Sequence, residues 1–146
     1  AGCTEIAVGV ESGSPRILKL IGKGTTVEKI RRCVSIAKEA GIQVRGYFIL
    51  GMPTESEDDL LMTERFAEEL DLDEYGFTIL CPHPGTQMYD SSIHAGVNWD
   101  GVDEYSNDFW RTEHLTNEQL KAWQRRLTEK FRSKLTWHNL VLAQSE

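Results

Sequence analysis

The sequence predicts an α/β fold: a β-α-β-α-β core with parallel strands, followed by a C-terminal loop and a long helix. Three observations carry this. Apolar runs at 5–10, 42–50 and 75–80 have the length of strands. Amphipathic stretches with helical spacing separate them. The connections are short and rich in Gly, Pro and Ser. Strands separated by helices pair in parallel through crossover connections.

The first run, Glu5-Ile6-Ala7-Val8-Gly9-Val10, is bounded by Glu11-Ser12-Gly13-Ser14-Pro15, so it reads as a buried strand ending in a polar turn. A short helix from Pro15 to about Leu20 follows, since proline suits the first helical position. After the Gly22-Lys23-Gly24 loop, Thr25 and Glu28 form a capping-box pattern. Val27, Ile30, Val34, Ala37 and Ala40 then recur at helical spacing up to the stop at Gly41. The second strand, Ile42 to Leu50, closes at Gly51-Met52-Pro53-Thr54-Glu55-Ser56. Glu57, Asp58 and Asp59 open the next helix, where carboxylates favour the positive end of the macrodipole. The third strand, about Tyr75 to Leu80, runs into Cys81-Pro82-His83-Pro84-Gly85-Thr86, where two prolines end it. Ser91 to Glu113 is polar and dotted with aromatics. Thr116 and Gln119 cap a final helix carrying Leu120, Trp123, Leu127, Phe131, Leu135 and Leu142. Residues 1–90 are thus one unit and residues 91–146 an extension.

Composition narrows the function. The chain has 146 residues, 40% hydrophobic and 27% charged, with a net charge of −7, the balance of a globular domain. That charge argues against nucleic acid or an anionic membrane as partner, and no apolar stretch has the length of a membrane span. Cys3, Cys33 and Cys81 are too scattered for a disulfide framework or a metal clip, and the four histidines lack ligand spacing, so no metal site is expected. Thiols of this kind fit a reducing, cytoplasmic setting.

In parallel β/α architectures ligands bind beyond the carboxyl ends of the strands. Three segments meet there: Glu11-Ser12-Gly13-Ser14, Gly51-Met52-Pro53-Thr54-Glu55 and Cys81-Pro82-His83-Pro84-Gly85-Thr86. The first offers a carboxylate and hydroxyls, the second a glycine that lets a flat ring approach, and the third backbone edges held by proline. A nucleoside-like ligand and plain loop stereochemistry both account for them. The aromatics from Trp99 to Trp110 read either as a wall over this rim or as a packed loop.

The same segments carry a resemblance. Gly9-Val10-Glu11-Ser12-Gly13-Ser14 with Lys23-Gly24, Ala40-Gly41-Ile42 through Glu57-Asp58, and Phe77 through Tyr89 with its Pro82-His83-Pro84-Gly85-Thr86 ending resemble, in order, the fourth, fifth and sixth strand segments of radical S-adenosylmethionine (SAM) enzymes. The wording is most similar to the cobalamin-dependent branch that includes the anaerobic magnesium-protoporphyrin monomethyl ester oxidative cyclase. The resemblance implies half of a partial (β/α)6 TIM-like barrel. It implies SAM and a [4Fe–4S] cluster as cofactors, with cobalamin in that branch.

Residue by residue, the resemblance places Glu11 and Ser12 at the ribose or methionyl group and Lys23 at the SAM carboxylate. The backbone around Gly51 and the Leu80-Cys81-Pro82-His83 stretch face the adenine. Tyr47 stands where some members have an acidic ribose ligand, and Glu55 reads equally as a helix-start cap. No catalytic residue is assigned. The CxxxCxxC loop that holds the family's cluster is not in this sequence. The expectation is therefore the second half of a catalytic barrel, inactive alone, whose partners are the N-terminal part of the same polypeptide and a small-molecule substrate. The parent would cleave SAM reductively to a 5′-deoxyadenosyl radical, for oxidative cyclisation or methyl transfer. The alternative is a non-catalytic β/α domain binding a nucleotide-like ligand or a protein. Open strand edges would also permit self-association.

Overall fold

A computed structural model describes residues 2–89, 96–100, 102 and 107–135. Three parallel strands, β1 (Glu5–Glu11), β2 (Gln43–Leu50) and β3 (Glu74–Ile79), form one sheet in the order β1-β2-β3. The short α1 (Pro15–Ile21) and then α2 (Val27–Glu39) connect β1 to β2. α3 (Glu57–Leu70) connects β2 to β3, and α4 (Asn117–Lys130) follows β3.

Caps set most helix boundaries. Ser14 accepts from Ile17 N–H at the start of α1, and Pro15 occupies the first turn. The N-cap of α2 is Thr26, whose hydroxyl accepts from Lys29 N–H at 3.2 Å, one residue later than the expected Thr25. Thr116 and Gln119 form the expected box on α4, with Thr116 N–H donating to Gln119 Oε1 at 2.9 Å.

The two faces of the sheet differ. Val44, Phe48 and Leu50 of β2 and Tyr75, Phe77 and Ile79 of β3 point to one side, where they join the apolar residues of α2, α3 and α4 in a single core. Phe48, Tyr75, Phe77 and Phe131 stack within it, with Tyr75 and Phe131 at 4.3 Å between centroids. Ala7, Arg45, Tyr47 and Ile49 lie on the opposite face, exposed or half-buried. There Arg45 bridges all three strands, reaching Glu74 Oε2 at 2.6 Å and Glu5 Oε1 at 3.2 Å.

The last helix departs from expectation. α4 ends at Lys130, Phe131 caps it, and a 3-10 turn (Arg132–Lys134) leads to Leu135, which forms a parallel bridge with Tyr75. Leu115, Leu120, Trp123, Leu127 and Leu135 belong to the same core as the strands. α4 is therefore the crossover helix of the next β/α unit, and the outer edge of β3 is partly paired instead of open. Leu142 lies outside the described residues, and no helix among those described is long and apolar enough to cross a membrane.

Candidate functional site

Because the strands are parallel, their carboxyl ends lie at one edge of the sheet. Glu11 is registered with Phe48 and Leu50 with Ile79, and Leu80 N–H donates to Leu50 C=O at 2.8 Å. Glu11, Gly51 and Pro82 thus share a rim, as expected.

The end of β1 is distorted. The register with β2 shifts between Gly9 and Glu11, and Ser12 N–H donates to Val10 C=O at 2.8 Å, closing a γ-turn around Glu11 at φ +63°. A glutamate in the left-handed region costs roughly 1–2 kcal/mol, and such bulges and turns re-aim side chains near ligand sites. Here the turn folds the Glu11 carboxylate back over Gly9, where Lys23 Nζ meets it at 2.5 Å and also donates to Gly9 C=O at 3.3 Å. A Cβ on Gly9 would collide with both side chains. Two residues expected at the ligand, Glu11 and Lys23, are therefore brought together as an ion pair, across the loop between α1 and α2.

Ser12 stands differently. It is fully buried, its hydroxyl 3.0 Å from Thr63 Oγ1 and accepting from Ser14 N–H at 3.1 Å. Gly13 N–H donates to Thr63 Oγ1 at 3.0 Å. This hydroxyl fastens the loop after β1 to α3 and does not open onto the rim. Asp59 of α3 completes the fastening: it accepts from Ser14 Oγ at 2.6 Å and from Ser56 N–H at 2.9 Å, and it pairs with Arg16. Burial opposes its charge, but the Arg16, Ser14 and Ser56 donors outweigh that and hold its carboxyl well below the usual range.

Gly51, at φ +87°, is a glycine for a reason the sequence did not disclose. The space a Cβ would take is filled at 3.0 Å by the Trp110 ring and by Leu120. The flat ring that approaches this backbone is the chain's own indole. Its N–H donates to Gly51 C=O at 2.6 Å, while Gly51 N–H donates to Glu55 Oε2 at 2.5 Å and Met52 N–H to the same oxygen at 3.2 Å. Glu55 is fully buried, and its Oε1 has no partner among the described residues. Burial, against the two backbone donors, raises its carboxyl to about 7.

At the end of β3, Leu80 C=O accepts from Asn107 Nδ2 at 2.8 Å. Pro82 is buried, Cys81 half-buried and His83 exposed, its ring 6.0 Å from that of Trp99. Trp99 also meets Tyr89 and Phe109 at 5.9 and 5.5 Å, so these aromatics gather beside the rim, while Trp110 packs behind Gly51. Tyr105 lies outside the described residues. Tyr47 is half-buried on the open face of β2.

Of the cofactors that the resemblance implies, the donor set suits SAM and supplies no cluster ligands. A carboxylate and an ammonium held side by side complement the zwitterionic amino-acid end of SAM. A cluster needs three converging thiolates. Cys3 precedes β1, Cys81 follows β3 at the other end of the parallel sheet, and Cys33 is exposed on α2. Cys3 and Cys81 are separated by on the order of 20 Å of strand, so these residues do not hold a cluster.

The sequence profile of the Radical SAM superfamily matches residues 1–67. A Pyrococcus horikoshii protein named an uncharacterized methyltransferase is 37% identical over 123 residues, 82% of this chain and 27% of that protein. The tRNA-2-methylthio-N(6)-dimethylallyladenosine synthase of Buchnera aphidicola subsp. Schizaphis graminum is 29% identical over 130 residues, 86% of this chain and 28% of that enzyme. The chain thus spans about a quarter of the length of these relatives. Among solved structures, coproporphyrinogen III oxidase of Escherichia coli superposes with a TM-score of 0.63 at 15% identity, over 91% of this chain and 27% of that one. The last likeness is one of fold: a β/α barrel segment.

Proposed function

Since the chain belongs to the radical SAM superfamily, we propose that it supplies the methionyl and adenosyl side of a SAM site in a larger group-transfer enzyme. The observation that carries this is the Glu11 γ-turn with its Lys23 partner at the strand-end rim. Glu11 accepts from the ammonium of the amino-acid end and Lys23 donates to its carboxylate, so the internal pair is exchanged for two charge-matched contacts. The strained turn holds the carboxylate in place before the ligand arrives. The backbone around Gly51 and the Leu80–His83 backbone border the adenine. Bound at this rim, SAM supplies the group that is transferred.

Both curated relatives carry names of methyl or methylthio transfer, which favours group transfer over oxidative cyclisation. The dispersed cysteines leave cluster binding, and with it redox chemistry, to the N-terminal part of the polypeptide, which would pair with the edge of β1 that is unpaired among the described residues. Cobalamin, implied by the branch resemblance, has no assigned residue here. This chain contributes binding and orientation.

Calorimetry with S-adenosylhomocysteine on the full-length protein tests the reading. Micromolar binding, weakened at least tenfold by Glu11→Gln and by Lys23→Met, is expected. Wild-type affinity in both variants would remove the assignment.

A further inference from the structure

The segment from 107 to 117 is built as a clip on the back of the rim. Asn107, fully buried, sends its Nδ2 to Leu80 C=O at 2.8 Å, and its Oδ1 accepts from Phe109 and Trp110 N–H at 3.2 and 2.9 Å. Trp110 closes on Gly51 C=O, and Thr112 Oγ1 donates to Glu55 C=O at 3.0 Å. Asn117, in the first turn of α4, holds the clip shut: its Nδ2 donates to Asn107 C=O at 3.0 Å and to Trp110 C=O at 2.9 Å. Three donors spaced along six residues, 107–112, thus take the carbonyls of Leu80, Gly51 and Glu55, at the ends of two neighbouring strands.

The consequence is orientation. The Gly51–Met52 peptide is held at both polar groups, its C=O by Trp110 and its N–H by Glu55, and Leu80 is held at its N–H by Leu50 and at its C=O by Asn107. Peptides fixed on both polar groups do not rotate without leaving a buried group unpaired. A glycine, free of Cβ hindrance, is the residue most able to rotate when one anchor is lost. These two peptides are the ones the proposed site sets against the adenine.

We infer that Asn107 and Trp110 are positioning residues, which fix the Leu80 and Gly51 peptides from behind and so set the adenine edge of the SAM site. This rests on the function proposed above. Neither side chain is required to touch the ligand. Trp110→Phe keeps a ring over Gly51 and removes the N–H. Asn107→Asp keeps the Oδ1 acceptor for Phe109 and Trp110 and removes the donor to Leu80. Leu127→Ala, in the core under α4, serves as the control, because it lowers stability without touching the rim.

The experiment is S-adenosylhomocysteine titration by calorimetry on the full-length protein, with thermal denaturation of each variant and titration well below every midpoint. Trp110→Phe and Asn107→Asp are expected to weaken binding about tenfold, and Leu127→Ala to leave affinity unchanged while lowering the midpoint at least as far. A second titration uses methionine, which lacks the adenosyl group. Its affinity is expected to be equal in wild type and both rim variants, a separation that general destabilisation would not produce. Wild-type binding with unchanged affinity in both rim variants overturns the inference and leaves the function standing. Loss of affinity in Leu127→Ala equal to theirs also overturns it. Absence of wild-type binding overturns the function, and the inference with it.

Discussion

Glu55 makes stability depend on pH in a direction unusual for a carboxylate. Its carboxyl is raised from the ordinary 4.5 to about 7, chiefly by burial, with Asp59 adding repulsion while the Gly51 and Met52 N–H groups and Arg16 act the other way. A group raised in the folded state keeps its proton where the unfolded chain releases it, so the folded state is favoured at low pH. That advantage is complete below pH 4.5 and is lost as pH rises to about 7. At about 1.4 kcal/mol per pH unit, the gap amounts to about 3 kcal/mol. Glu55→Gln retains an oxygen for the two backbone donors and removes the titration. Urea denaturation at pH 4.5 and pH 8 should show wild type losing about 3 kcal/mol more than the variant over that interval. The difference between the two proteins cancels every contribution that they share. Parallel pH profiles for wild type and Glu55→Gln would refute the argument that this carboxyl is held dry.

Asp59 acts in the opposite sense. Its folded-state carboxyl lies below the ordinary 3.8, so its contribution is present above that value and lost in acid; Asp59→Asn should cost about 2 kcal/mol at pH 7 and flatten the acid limb of a denaturation profile below pH 4. An unaltered acid limb would contradict this. Gly13→Ala should destabilise by about 2–4 kcal/mol, because its Cβ would lie 2.6 Å from Met62 C=O and from Phe66 Cβ, and α3 must move to admit it. A loss under about 0.5 kcal/mol by urea denaturation would show that the loop after β1 does not dock as described.

The strands and the first three helices are legible because apolar period and end signals agree. Val27, Ile30, Val34 and Ala37 repeat at helical spacing and all are buried, and each rim loop is bounded by Gly, Pro or Ser. The end of α4 is not legible, because Leu127, Phe131 and Leu135 keep helical spacing across a real break. Phe131 faces the core from the cap, and Leu135 faces it from a parallel bridge, so periodicity continues where the helix does not. The resemblance points to Glu11 and Lys23, but their contact depends on a γ-turn that no local signal marks, since glutamate is uncommon at positive φ. The Trp110 contact with Gly51 joins residues 59 positions apart. A glycine after a strand reads as a turn, and its second reason exists only once the chain has folded back. Glu55 likewise reads as a helix-start carboxylate, and its burial follows from the clip that closes over it.

The central claim is that the strand ends of this chain surround the ligand, and labelling addresses it without relying on activity. The full-length protein would be irradiated with an S-adenosylmethionine analogue carrying an azide on its adenine ring, digested and mapped by mass spectrometry. Adducts in the peptide containing Leu80 to His83, suppressed by excess S-adenosylhomocysteine, are the expected result. Suppressible adducts found only outside the segments that follow β1, β2 and β3 would contradict the account.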